Sequence, residues 1–165
     1  MIQFEKVEKS FFLQDCEDTE LPYGDFFEEC YDEIRLPERS TSGSAGYDIR
    51  TPIPFSLHPG SSIVIPTGVK IHMNKFNVLL VFMRSGLAIR HGLYLLNGTG
   101  IIDSDYADNR DNDGDILLAI GNQGKRTFRA EAGDRIAQGI IVHYFPTDED
   151  DVVNHRKGGI GSTGV

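Results

Sequence analysis

Cysteine is scarce in this chain, positive charge is outnumbered, and long apolar runs are missing. Each shortage removes a class of protein. The 165 residues contain only Cys16 and Cys30, both in the acidic N-terminal part, at a spacing that suits neither a metal site nor a disulfide framework. Free thiols are the expectation. A formal net charge of −9 excludes general affinity for DNA or RNA, which needs a broad basic surface to displace counterions from phosphates. A polyphosphate ligand would have to be met by a local basic site or by a metal. No apolar run approaches the ~20 residues of a membrane span, and the opening "MIQFEKVEKSFF" lacks the basic-then-apolar order of a secretion signal. These readings lead to a soluble, cytoplasmic protein with no membrane and no nucleic-acid polymer among its partners.

Against those shortages stands an ordinary globular composition, 39% hydrophobic and 10% aromatic, in a chain long enough to bury one substantial core. The texture changes near residue 33. Residues 1–33 include "DCEDTELPYGDFFEECYDE", an acidic extension with paired aromatics, read as irregular or short-helical and, for preference, solvated. From Ile34 to residue 153, short β-rich runs ("SSIVIPTGVKIHM", "FNVLLVFM", "GDILLAIGN", "RIAQGIIVHYF") alternate with glycine- and proline-bearing turns. That pattern predicts an all-β, jelly-roll-like barrel. Residues 154–165, "NHRKGGIGSTGV", form a glycine-rich arm that cannot pack into a core. Its backbone N–H groups, its hydroxyls and the cations of Arg156 and Lys157 suit an oligophosphate.

Five fragments carry candidate chemistry. "GSAGYDI" sets Asp48 after a small-residue turn where backbone can approach a ligand. "MRSGLAIRHG" places Arg84, Ser85 and Gly86 where an apolar strand gives way to a turn or helix start. Such a point offers N–H groups to phosphate, although Ser85 could equally serve as a helix cap. In "NGTGIIDSDY", Asn97, Gly98 and Gly100 suit a hairpin whose backbone edge can read a flat base, and the following strand ends in Asp103, Asp105 and Tyr106. "AEAGDRIAQGIIV" brings Arg135 and Gln138 to the entry of a strand, where both could touch the same anion. The fifth fragment is the arm. Singly, each is explained by turn chemistry; jointly, they are not.

In their order and spacing, "AGYDI", "RSGLA", "NGTGIIDSDY", "GDRIAQ" and "GGIGSTG" resemble the signature motifs of the trimeric deoxyuridine triphosphatase (dUTPase) family, over about residues 34–165. The resemblance implies hydrolysis of dUTP to dUMP and pyrophosphate with Mg²⁺, by a homotrimer whose sites are shared between subunits. It implies that Asp103 activates the attacking water and that Asp48 supports the metal through coordinated water. It further implies phosphate contacts from Arg84, Ser85, Gly86, Gln138 and Arg156, with Lys157 as a substitute for Arg156. Asn97, Gly100 and Ile102 would form the uracil site, Tyr106 would lie against deoxyribose, and the arm residues Gly159, Ile160, Gly161, Ser162 and Thr163 would close over the nucleotide. A dCTP deaminase of the same barrel, or a non-catalytic regulatory homologue, is the alternative. Asp103 within "GIIDSDY" and the complete glycine-rich arm weigh against both.

Two departures accompany the resemblance. Ile160 stands where the family carries a Phe that stacks on the base, a contact worth about 1–3 kcal/mol, so weaker lid closure is expected. The connection "ADNRDNDGDI" is longer and more acidic than usual, and from Asn109 to Ile116 it mimics the start of a calcium-binding EF-hand loop. Ile120 occupies the position where that loop needs Glu, so a plain solvated loop is the preferred reading.

Overall fold

The computed structural model describes residues 1–19, 21, 24, 26–153, 156 and 158. Along the chain run β1 (Gln3–Lys6), α1 (Lys9–Asp18), α2 (Phe26–Asp32), β2 (Glu38–Arg39), β3 (Tyr47–Arg50), β4 (Phe55–Leu57), β5 (Ser62–Pro66), β6 (Val69–His72) and β7 (Asn77–Met83). They are followed by α3 (Ser85–His91), β8 (Leu93–Leu95), β9 (Gly100–Asp103), β10 (Leu117–Asn122), β11 (Phe128–Ala130) and β12 (Arg135–His143). No helix among the described residues is long and apolar enough to cross a membrane.

All strand pairings are antiparallel, and the largest sheet has the order β2-β3-β12-β7-β9. A second sheet orders β5-β10-β8, and β11-β4 and β1-β6 make two smaller pairs. Ile49, Leu79, Val81 and Ile136 from the large sheet meet Ile65, Leu93, Leu118 and Ile120 from the second in one core. The alternation of buried and exposed positions in "FSL" and "LYL" is the period-2 signature of strands with one face inward. Two facing antiparallel sheets closed by short pairs match the expected all-β jelly-roll-like architecture.

The N-terminal extension departs from its preferred solvated reading. Strand β1 pairs with β6 in register from Gln3↔His72 to Lys6↔Val69. Phe12, Cys16, Phe27 and Cys30 bury against Val7, Ile34, Ile53 and Val69 in a second core. Burying two phenylalanines stabilises by roughly 1.5–3 kcal/mol each, more than enough to hold ten-residue α1 and seven-residue α2 against the barrel. The acidic residues mislead because Glu17, Asp18, Glu28, Glu29 and Asp32 face outward on helices whose Phe12 and Phe27 point in, Asp15 alone among the acids of α1 and α2 being buried. Cys16 and Cys30 are free and buried, and burial raises both thiol pKa values.

Candidate active site

Asp48 sits in β3, aligned across the sheet with Gln138 of β12, which in turn aligns with Phe82 of β7. Arg84 follows the last residue of β7, and its N–H donates to the Ile136 carbonyl at 3.3 Å, so the end of the strand aims its guanidinium at Asp48. Arg84 Nε lies 3.2 Å from Asp48 Oδ1, and Arg135 Nη1 lies 3.0 Å from Asp48 Oδ2. The Ser40 hydroxyl donates to Oδ2 at 2.8 Å. Burial alone would push the Asp48 carboxyl upward, but the Ser40 hydrogen bond and the Arg135 and Arg84 charges outweigh it and hold the group below the usual carboxylate range. The result is a fixed anion that locks two guanidiniums at the mouth of the sheet.

Ser85 and Gly86 open α3 and are exposed. Arg84, not Ser85, is the N-cap, and it makes no side-chain capping bond, which leaves the Ser85 hydroxyl available. The Gln138 side chain packs on Gly46, where a Cβ would lie 3.1 Å from Gln138 Oε1. Glycine there lets the amide reach the Asp48 end of the sheet.

Asn97 and Gly98 lie in a turn that the sequence reading took for a hairpin. It is a corner instead: β8 before it pairs with β10, and β9 after it pairs with β7, so the chain switches sheets. Gly100 aligns with Val81, and a Cβ there would come 3.1 Å from Val81 Cβ, so any larger residue would press β9 away from β7 by a few tenths of an ångström. Asn97, Gly100 and Ile102 line a small pocket of about 20 Å³ that Val81, Leu95 and Ile116 also border. Among the described residues β9 pairs with β7 alone, which leaves its other backbone edge open toward a ligand.

Asp103 closes β9 opposite Val78. From Val78 to Arg84 is six positions along β7 and beyond, about 20 Å at the rise of an extended strand. Asp48, Arg84, Ser85, Gly86 and Gln138 thus make one candidate half-site and Asn97, Gly100, Ile102, Asp103 and Tyr106 another, which runs from Gly100, opposite Val81 and three positions from Arg84, to Asp103 at the far end.

The dUTPase family model matches residues 32–164. The chain belongs to the dUTPase family. It is 39% identical over 134 residues to the deoxyuridine 5'-triphosphate nucleotidohydrolase of Lactococcus lactis subsp. lactis, covering 80% of this chain and 89% of that protein. Its identity to the enzyme of the same name from Xanthomonas campestris pv. campestris is 41% over 138 residues, covering 79% of this chain and 87% of the relative. Among solved structures, the dUTPase from Streptococcus mutans superposes with a TM-score of 0.69 at 32% identity, covering 88% of this chain and 98% of that one. The Staphylococcus bacteriophage 80alpha dUTPase shares the fold, with a TM-score of 0.66 at 23% identity over 93% of this chain and 97% of that one.

In this dUTPase-family chain Arg156 reaches back to the second half-site. Its Nη2 donates to Asp103 Oδ2 at 2.6 Å, its Nε donates to Asp105 Oδ1 at 3.0 Å, and the guanidinium lies 5.5 Å from the centroid of the Tyr106 ring. The Asp103 and Asp105 carboxylates remain half-exposed, so an incoming ligand can compete for this cation. The expected roles of Lys157, Gly159, Ile160, Gly161, Ser162 and Thr163 fall outside the described residues.

The acidic connection is neither a calcium loop nor a solvated one. Lys70 of β6 inserts its ammonium between Asp108 and Asp113, 3.0 Å from Asp113 Oδ1. Asp113 Oδ2 also accepts from the Glu8 N–H at 2.8 Å, and Asp115 Oδ1 accepts from the Gly68 N–H at 2.9 Å. A protein cation and backbone donors thus occupy the carboxylates that an EF-hand would offer to calcium. No cluster of three or more His, Cys, Asp or Glu fit for a metal is found among the described residues. The sequence reading passed over Ser40, Lys70 and Asn112 because each makes its contact with a residue distant in the chain or folded back on it. Only Asn112 carried a local hint, as an Asn in a turn-rich run.

Proposed function

We propose that this chain hydrolyses dUTP to dUMP and pyrophosphate at a site assembled from more than one copy. One observation carries the reading: a single four-residue strand, β9, bears both the glycine edge of the pocket and, at its far end, Asp103. Three residues of extended chain span about 10 Å, the reach of a nucleoside from its base to its 5'-phosphate. A uracil seated at Asn97 and Gly100 therefore delivers its α-phosphorus to Asp103. Asp103 holds a water molecule in line and takes its proton as the water attacks, a contribution of about 10²–10⁴ in rate.

The phosphates need more cations than Arg156, the one that the described residues set beside Asp103. Arg84, locked by Asp48, together with Ser85, Gly86 and Gln138, supplies them, and the ~20 Å between Asp103 and Arg84 along β7 favours their coming from a neighbouring copy. A homotrimer with shared sites meets that need. Arg156, released from Asp103 and Asp105 by the entering triphosphate, is placed to follow the phosphates. Tyr106 walls the sugar, and the tightness of the Gly100–Val81 contact keeps the pocket too narrow for a 5-methyl group.

The family implies Mg²⁺, and the residues present fit a metal that arrives with the substrate. Mg²⁺ is commonly held by one or two carboxylates plus substrate phosphates rather than by a protein cage. Both Asp48 oxygens already accept hydrogen bonds, so this residue fits an outer role through water. When bound, Mg²⁺ draws charge from the phosphate oxygens. Incubation with dUTP, dCTP, dTTP and UTP plus Mg²⁺, followed by product separation, tests the reading. Pyrophosphate from dUTP alone is expected; ammonia from dCTP, or no product, overturns it. Asp103→Asn should stop turnover and leave nucleotide binding in place.

A further inference from the structure

The acidic connection touches the half-site through Tyr106. Asn112 is 5% exposed, and its amide donates to the Tyr106 hydroxyl at 3.0 Å and to the Asp115 carbonyl at 3.1 Å. Its own carbonyl oxygen accepts from the Asn109 amide at 2.8 Å and from the Gly114 N–H at 3.2 Å. The Tyr106 hydroxyl in turn donates to the Asp115 carbonyl at 3.1 Å. Every polar group of Asn112's side chain is therefore engaged, and the phenol is gripped as donor and as acceptor at once. A buried network with no spare partner has no alternative arrangement to relax into.

A tyrosine needing only to pack could use any apolar neighbour. Here its depth is set by two hydrogen bonds at its tip, while Arg156 lies near its ring. Burial raises the Tyr106 pKa above its ordinary value, so the phenol stays protonated and remains a donor at neutral pH. A wall that excludes one extra hydroxyl discriminates only if it cannot retreat.

We propose that Asn112 is a specificity-determining positioning residue: it holds the Tyr106 ring from behind, so that the sugar pocket rejects a 2'-hydroxyl. The inference rests on the reading of the chain as a dUTP hydrolase with Tyr106 against the sugar. The test is kcat/KM for dUTP and for UTP with the full-length protein, in wild type, Asn112→Ala, Tyr106→Phe and the double variant. Each single change is expected to lower the dUTP-to-UTP ratio about tenfold, chiefly by raising the UTP value. The double variant is expected to lower it no further, because both changes cut the same bond.

A purely structural role would lower both substrates in proportion and leave the ratio alone, and that result overturns the proposal. Effects that multiply in the double variant overturn it too. Should Asn112→Ala prove insoluble, Asn112→Asp keeps the shape and removes both amide donors, and its ratio decides the matter in the same way. A wild-type chain that leaves dUTP uncleaved defeats the reading of the activity before any variant is made, and this inference falls with it.

Discussion

Asp48 on one side of the molecule and the pair Asp15 and Asp115 on the other are buried to nearly the same degree, at 7%, 8% and 0% exposure, yet they lie on opposite sides of the ordinary carboxylate pKa. Asp48 faces Arg84, Arg135 and Ser40 and stays ionised. Asp15 of α1 faces the Asp115 carboxyl with no cation between them, and one oxygen of each lacks a partner. Burial pushes Asp15 up to about 6, against hydrogen bonds from Asp115 and Asn112, and raises Asp115 well above its ordinary value, with the Asp15 charge adding to that rise. Burial alone thus does not decide whether a carboxylate keeps its charge; the partner that the fold supplies does. The half-site uses a charged aspartate, whereas the seam between extension and barrel tolerates a neutral one.

Asp48→Asn should break the comparison most severely. It leaves two guanidiniums without their anchor, and dUTP turnover is expected to fall about 10²-fold, the scale of losing a fixed electrostatic group, as read by pyrophosphate release. Lys70→Met comes next. It strands buried Asp113 beside half-exposed Asp108, and unfolding in urea is expected to show a loss of about 3 kcal/mol.

Asp115→Asn acts in the opposite direction. The new amide can keep the Thr67 and Gly68 N–H bonds through its oxygen and donate to Asp15, so a gain of about 2 kcal/mol near pH 8 is expected. The sign follows from linkage. Asp15 binds its proton more tightly folded, at about 6, than unfolded, at 3.8. Its contribution is therefore complete below the unfolded value and lost as pH rises through the folded one. Wild-type denaturation midpoints should fall across that window, and the variant should flatten the fall. Glu38→Gln, which cuts the exposed pair with Arg50, serves as the weakest contrast, with a shift within about 0.5 kcal/mol.

The fragments that hold the candidate half-sites are legible in the sequence. Asp48, Arg84, Gln138 and Asp103 stand in short fragments whose residue types already name their chemistry, and strand-and-turn punctuation announced an all-β fold. The extension was misjudged because helix periodicity is weak in "KSFFLQDCED", where aromatics and acids alternate without a clean stripe. The 107–115 connection was misjudged for a different reason. Its EF-hand pattern is local, whereas Lys70, which fills it, lies on another strand.

Alone, the order of residues determined which side chains exist and which neighbours share a strand or turn, since backbone propensity and period act over a few residues. Tertiary structure decided which of those groups face each other: two arginines around Asp48, an ammonium within an acidic loop, an asparagine behind Tyr106, and two carboxyls buried near one another. Charge state and hydrogen-bond partnership depend on distances of a few ångströms between residues tens of positions apart, and only the packed chain sets those.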